Sequence, residues 1–199
     1  DVIHGGRGND RIFGGGGDDF LYGELDDDEV HGGDGGDVAF GQEGRDRLLD
    51  DAGEDALFGA LGADTLEGGA GNDSLAGGAG ADTYRFGMEA GIDRINDTDD
   101  GGDRIVIESV DLATLNFEET APGTGVYRDT AGWGFTLRRD GEALHVSRGT
   151  GPNAGIAVIA SYASGAGGNF GIVLPAATTL PEPAHTEPTT SLSILGDFA

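Results

Sequence analysis

Residues 5–85 form nine consecutive nonapeptides with no insertion or deletion, and the sixth position of each is Asp. The column is Asp10, Asp19, Asp28, Asp37, Asp46, Asp55, Asp64, Asp73 and Asp82, and Asp1-Val2-Ile3-His4 fits the last four positions of a preceding unit. A fixed period of this length is the signature of a solenoid, because each unit repeats the same contacts with its neighbours. Positions 1–6 of a unit are rich in Gly and end in the Asp. Positions 7–9 are a short run whose centre is Ile12, Leu21, Val30, Ala39, Leu48, Leu57, Leu66, Leu75 or Tyr84. Gly-rich stretches turn, since Gly reaches backbone angles that other residues avoid. Three residues with one inward apolar side chain suit a very short strand. Two units then make one coil, with parallel strands stacked in two sheets and the central column filling the space between them.

Such a core is thin. One mid-sized apolar side chain per nine residues buries little area at about 25 cal/mol per Å², while ordering each residue costs roughly 1–2 kcal/mol of backbone entropy. The repeats hold 23 Gly, the residue that loses most freedom on ordering. Residues 1–86 also carry 21 Asp and Glu against 5 Arg, a net −16. Burial alone does not hold such a chain together, and a positively charged species must complete it. Ca²⁺ suits the donors: it is a hard cation that takes roughly six to eight oxygens at about 2.3–2.6 Å in a tolerant geometry. Gly turns expose backbone carbonyls, and the Asp supplies charge. Mg²⁺ demands tighter octahedral geometry. Zn²⁺ wants Cys or His, and the chain has no Cys and four scattered His.

The pattern GGxGxDxUx, with U a large aliphatic residue, resembles the RTX (repeats-in-toxin) calcium-binding nonapeptide; GGAGNDSLA at 68–76 fits it throughout. The resemblance implies an all-β parallel β-roll over 1–86, two stacked parallel sheets with Ca²⁺ held between stacked turns on each edge. The implied metal ligands are the nine Asp of the column, Asp1, and the glycines at positions 2 and 4: Gly6, Gly8, Gly15, Gly17, Gly33, Gly35, Gly44, Gly53, Gly62, Gly69, Gly71, Gly78 and Gly80. Turn n faces turn n+2, so nine turns make about seven pairs and about seven Ca²⁺, whose charge of about +14 nearly cancels the repeats' own. Glu24, Asp26, Gln42, Asp50, Asp51, Ala60 and Leu61 interrupt the glycine pattern in units three, five, six and seven. Weaker or altered sites are expected there, because positive φ is costly for these residues.

Positions 7 and 9 point outward. Odd units place Arg11, Glu29 and Arg47 in a column of alternating charge, while even units place Tyr22, Phe40 and Phe58 one above another. An apolar patch of this kind marks a covered surface. Either the chain's own C-terminal half packs there, or another copy or an upstream domain docks through Tyr22, Phe40 and Phe58, or the aromatic column stacks in solvent.

Beyond Phe86 the period stops. Segments 92–97, 99–109, 111–117, 133–139, 142–148, 155–162 and 168–174 read as short strands between Gly-rich breaks. This region resembles the segment found after RTX repeats in many secreted bacterial proteins. Residues 87–174 are therefore expected to form a β-rich domain capping the open end of the roll. Asp100 and Asp103, beside Gly101-Gly102, either hold one more Ca²⁺ or form a plain acidic turn. Residues 175–190 are rich in Pro, Thr and Ala and read as an extended linker. The tail to residue 199 resembles an uncleaved C-terminal signal for type I secretion, an ordinary tail being the alternative.

Composition narrows the functions. A net charge of −26 repels nucleic acid and anionic membranes, and no stretch is apolar enough to span a bilayer. HExxH and GxSxG patterns are absent, and His4, His31, His145 and His185 stand in no catalytic constellation. The expectation is a non-enzymatic, calcium-folded module at the C-terminus of a larger secreted Gram-negative RTX protein, outside the cell or on its surface. It would meet the type I secretion apparatus during export. Two other classes remain open: an adhesive or ligand-binding module, and a non-catalytic module of an extracellular protease, lipase or alginate epimerase.

Overall fold

The computed structural model describes residues 1–87, 91–97, 101–124, 126–140, 143–148 and 155–159. Strands are numbered along the chain. One sheet begins with β1 (Val2–Arg7), β3 (Phe20–Leu25), β5 (Val38–Glu43), β8 (Ala56–Leu61) and β11 (Ser74–Ala79), all parallel. The other stacks β2 (Arg11–Gly16), β4 (Glu29–Asp34), β6 (Arg47–Leu49), β9 (Thr65–Glu67) and β12 (Thr83–Phe86), also parallel. Partners are offset by two repeats throughout: Val2 faces Phe20, Phe20 faces Val38, Arg11 faces Glu29 and Glu29 faces Arg47. Consecutive units thus alternate between sheets, as the two-unit coil requires.

The core is the predicted central column. Ile12, Leu21, Val30, Ala39, Leu48, Leu57, Leu66, Leu75 and Tyr84 are all buried and form one apolar cluster. Most strands are longer than the three residues expected, running six residues into the next unit's glycines. The inter-strand hydrogen bonds therefore continue where no side chain contributes to the core. Two short strands, β7 (Ala52–Gly53) and β10 (Ala70–Gly71), continue this pairing along one edge.

The period ends but the stack does not. Strand β13 (Asp93–Ile95) pairs with β11 and β14 (Arg104–Ile107) with β12, at offsets of Ser74 to Arg94 and Thr83 to Arg104. Ile95, Ile105 and Ile107 prolong the buried column. Next to β13 lies β20 (Gly155–Ile159), followed by antiparallel β19 (Ala143–Arg148), β18 (Phe135–Asp140), β17 (Val126–Asp129) and β16 (Phe117–Glu119). These carry their own buried residues, Phe117, Tyr127, Phe135, Leu137, Leu144 and Val146. A hairpin joins β14 to β15 (Val110–Asp111). Segment 111–117, expected to be a strand, instead contains a 3₁₀ turn at Leu112–Thr114, capped by the Asp111 carboxylate accepting from Ala113 N–H. The expected strand at 168–174, the linker and the tail signal lie outside the described residues.

Among the described residues the C-terminal strands extend the first sheet edge to edge, and Tyr22, Phe40 and Phe58 are half-buried on the face of its repeat strands. The rings there stack on one another: His4 on Tyr22 at 4.7 Å, Tyr22 on Phe40 at 5.2 Å, Phe40 on Phe58 at 4.9 Å. Stacking at offsets of this size is worth about 0.5–1.5 kcal/mol per pair, and the three rings of the column are half-buried. On the opposite face Glu29 pairs with Arg11 at 2.6 Å and with His31 at 3.1 Å. Those hydrogen bonds, from His31 first and then Arg11, hold the half-buried Glu29 carboxyl below its usual range.

Candidate metal centre

Each Asp of the column sits at the end of a turn, just before the strand that carries its unit's core residue. Asp19, Asp28, Asp37, Asp46, Asp55, Asp64, Asp73 and Asp82 are at most 3% exposed. Their two oxygens differ. Oδ1 accepts from the backbone N–H of the Asp two units earlier: Asp28 from Asp10 at 2.8 Å, Asp37 from Asp19 at 2.7 Å, Asp46 from Asp28 at 2.8 Å, and so on to Asp82 from Asp64 at 2.8 Å. Asp1 stands in the same register and donates to Asp19 through its amino group. Oδ2 of Asp10, Asp19, Asp28, Asp37, Asp46, Asp55, Asp64 and Asp73 is buried with no hydrogen-bond partner.

Native proteins do not leave a series of buried carboxylate oxygens unpaired without a reason, since a buried charge is costly until paired or bound to a metal. Asp129 in β17 shows the ordinary solution. Its two oxygens accept from Trp133 N–H at 2.8 Å and Phe135 N–H at 2.7 Å. Burial acts against that carboxylate, yet these bonds outweigh it and its pKa falls. In the column the balance is reversed. Burial, only partly offset by the backbone N–H bond, pushes Asp46 to about 6, Asp64 to about 7 and Asp73 to about 6. The in-register carboxylates add to the rise. An array of hard, orphaned oxygens awaiting positive charge fits Ca²⁺.

The glycines surround these oxygens. Those at position 2 (Gly6, Gly15, Gly33, Gly69, Gly78) and at position 4 (Gly8, Gly17, Gly35, Gly44, Gly62, Gly71, Gly80) have φ from 82° to 153°. Glu24, Asp26, Gln42 and Ala60, which replace such glycines in units three, five and seven, keep positive φ of 84°, 77°, 80° and 83°. The solenoid imposes the turn on residues that disfavour it. Position 4 also packs backbone on backbone: a Cβ on Gly62 would lie 1.5 Å from the Gly44 carbonyl oxygen, and one on Gly53 1.6 Å from that of Gly35. Unit six departs, since neither Asp51 nor Gly53 has positive φ.

Three sets of residues were not among the expected ligands. Position 1 is the first. A Cβ on Gly14, Gly23, Gly41, Gly59, Gly68 or Gly77 would come within 2.2–2.6 Å of Oδ2 of that unit's own Asp. The glycine at position 1 therefore makes the space in which Oδ2 sits, a role visible only once the carboxylate is placed. The second is Asp93, whose Oδ1 accepts from Asp73 N–H at 3.0 Å and whose pKa burial pushes to about 8. Its signal was present in the sequence: Asp93-Arg94-Ile95 keeps the Asp-x-aliphatic half of the repeat, as does Asp103-Arg104-Ile105. The third is Asp97. It is buried, takes the Tyr84 hydroxyl proton in a hydrogen bond, and lies with Asp82 and Asp103 so that one oxygen of each falls within 4.8 Å of the others. Asp103, for which an extra ligand and a plain turn were both open, is thus buried in the Asp column and accepts from Asp82 N–H at 2.9 Å. Asp100 lies outside the described residues.

Fold and site together define a parallel β-roll whose turns carry in-register columns of buried carboxylates. Residues 1–30, 31–66 and 58–88 match the family model of the RTX calcium-binding nonapeptide repeat (4 copies), so the roll is similar to that family over its whole length. The chain is also similar to the solution structure of the AlgE6R3 subunit from the Azotobacter vinelandii mannuronan C5-epimerase. Identity there is 25%, over 73% of this chain and 72% of that one, with a TM-score of 0.38. Among curated proteins nothing matches. No helix among the described residues is long and apolar enough to cross a membrane.

Proposed function

We propose that the chain is a calcium-triggered folding module of a secreted RTX protein, with the roll of residues 1–86 as the switch and residues 87–174 as its cap. The observation that carries this is the column of buried Oδ2 atoms without partners in a chain of net charge −26. Without cations these carboxylates repel one another and lack solvation, and the thin core cannot offset the cost of ordering so many glycines. With Ca²⁺ the column Asp and the turn backbone around them hold the ions, and the charge is cancelled where it is concentrated. Seven column pairs, from Asp10/Asp28 to Asp64/Asp82, place about seven ions in the repeats. Asp73/Asp93 and Asp82/Asp103 repeat the same bond and extend the series into the cap.

Affinities of extracellular calcium modules are about 10⁻⁴–10⁻³ M. At ten times Kd each site contributes ~1.4 kcal/mol by mass action, so several sites together match the stability of a whole domain, roughly 5–15 kcal/mol. The module then stays unfolded at low cytosolic calcium, passes a type I secretion channel of a Gram-negative cell as an extended chain, and folds outside, which opposes backsliding. The catalytic or adhesive work of the parent protein belongs to other segments.

The test is far-UV circular dichroism and hydrodynamic radius during a Ca²⁺ titration, with Mg²⁺ as control. A steep, calcium-specific conversion from a disordered to a compact β-rich form is expected in the millimolar range. A β-rich, compact calcium-free chain at pH 7 that ignores Ca²⁺ would falsify the switch.

A further inference from the structure

Unit six breaks the glycine pattern at position 1, where Asp50 stands, and the structure shows what replaces the missing glycine. Asp50 projects towards the turn two units earlier, where Gly32 has no side chain: a Cβ on Gly32 would lie 2.2 Å from Asp50 Oδ2 and 2.6 Å from Asp37 Oδ2. Asp50 Oδ1 is anchored by two amides, Gly33 N–H at 3.0 Å and Asp51 N–H at 2.9 Å. That leaves Oδ2 facing the column pair Asp37 and Asp55. One carboxylate oxygen of each of Asp37, Asp50 and Asp55 lies within 4.8 Å of the others. The three residues are 1%, 6% and 3% exposed, and Oδ2 of all three is buried with no hydrogen-bond partner.

Two oxygens bound to one Ca²⁺ at about 2.3–2.6 Å can be no more than about 5 Å apart, so this spacing is one a single ion can bridge. Elsewhere a turn pair supplies two column carboxylates, except at the junction with the cap, where Asp97 joins Asp82 and Asp103 but already accepts from the Tyr84 hydroxyl; here a third carboxylate is added at the same depth with its Oδ2 unpartnered. We propose that the sixth turn is a three-carboxylate cation site formed by Asp37, Asp50 and Asp55, which takes a hard cation ahead of the two-carboxylate turns and retains a trivalent lanthanide most tightly. The substitution expected to weaken the turn thus converts it into the most highly charged site of the repeats. Ligand charge sets calcium affinity at otherwise similar oxygen sites, and the extra carboxylate favours a 3+ ion more than a 2+ ion because attraction scales with the product of charges. The inference rests on the calcium-binding function proposed for the roll.

The experiment uses the whole chain, stripped of metal, with Ca²⁺ alone and Tb³⁺ alone as probes. Isothermal titration calorimetry follows Ca²⁺, and Tb³⁺ luminescence is followed under Ca²⁺ competition. The chain as it stands should bind one Ca²⁺ about tenfold more tightly than the rest and keep one Tb³⁺ against a large excess of Ca²⁺. Asp50→Asn preserves the side chain's shape and its anchoring acceptor, and should lose both signatures while the remaining Ca²⁺ binds as before. Asp50→Gly, which restores the repeat pattern, should do the same. Variants that keep the tight Ca²⁺ step and the retained Tb³⁺ overturn the proposal, and so does a tighter Asp50→Asn, which would make Asp50 a protonated packing residue. If the unaltered chain binds no Ca²⁺, the functional reading fails with it; if it binds and folds but is indifferent to Asp50, only this inference fails.

Discussion

At Ala60 the backbone holds φ of 83°, with a methyl group where its repeat equivalents in units one, two, four, eight and nine have hydrogen. A left-handed conformation costs an L-residue about 1–2 kcal/mol, a cost the calcium-loaded roll must outweigh. Ala60→Gly should therefore raise stability in saturating Ca²⁺ by up to about 1 kcal/mol, the gain being trimmed by the extra freedom of Gly in the unfolded chain. Urea unfolding measures it, and a loss of stability would contradict the assignment of strain to this residue. Gly68 makes the opposite case. Its turn has the full consensus, and a Cβ there would lie 2.3 Å from Asp73 Oδ2. Gly68→Ala should displace that oxygen and weaken calcium binding at its turn, raising the Ca²⁺ midpoint of folding several-fold. An unchanged midpoint would mean that Oδ2 is no ligand. Position 2 was legible from the sequence, because Glu24, Gln42 and Ala60 stand out against glycine there. Position 1 was not, because its constraint comes from a carboxylate five residues on.

Among the elements, β12 joins the periodic roll to the C-terminal strands. Its Tyr84 occupies a core position that is aliphatic in every earlier unit. The buried hydroxyl accepts from Gly77 N–H at 2.7 Å and donates to Asp97, which ties the last turn to the loop after β13. Burial, together with that Asp97 contact, pushes the Tyr84 pKa far above its ordinary value, so the group stays a neutral donor. Tyr84→Phe keeps the ring and removes both bonds, leaving a buried amide and a carboxylate oxygen to find other partners. The expected loss is about 1–3 kcal/mol in thermal or chemical unfolding with Ca²⁺ present. Tyr22→Phe on the outer stack should change stability by less than about 0.5 kcal/mol; equal effects would deny the hydroxyl a special role. The roll's strands were legible because each coil repeats one set of contacts, so a nine-residue pattern reports tertiary neighbours directly. Past Phe86 that correspondence ends. Partner offsets grow to Ser74–Arg94 and Thr83–Arg104, and β13 pairs next with β20, which lies far along the chain. Asp97 has no local signature at all, since its place is set by a hydroxyl from an earlier strand.

For the molecule as a whole, protons and calcium compete for one set of oxygens. Burial raises the carboxyls of Asp46 and Asp73 to about 6, Asp50 and Asp64 to about 7, and Asp93 to about 8 in the folded chain. Their unfolded values are near the ordinary ~3.9. A raised carboxyl means that the folded state binds more protons than the unfolded one. Its stabilising contribution is therefore complete below about pH 4 and is lost as pH rises through about 6 to 8. Acid also reduces the self-repulsion of a chain carrying −26. The calcium-free chain should thus gain β-structure as pH is lowered from 8 towards 4, the reverse of ordinary acid denaturation. Calcium must displace those protons at lower pH, so its folding midpoint should rise between pH 8 and pH 6. At pH 7 binding should release protons, which calorimetry detects as an enthalpy that changes with the ionisation heat of the buffer. Circular dichroism of the calcium-free chain across this range is the direct check. A chain equally disordered at pH 4 and pH 8, with a calcium midpoint independent of pH, would show that the column carboxylates are charged and solvated before the metal arrives. Buried, unpaired oxygens would then be a consequence of calcium binding and not its cause.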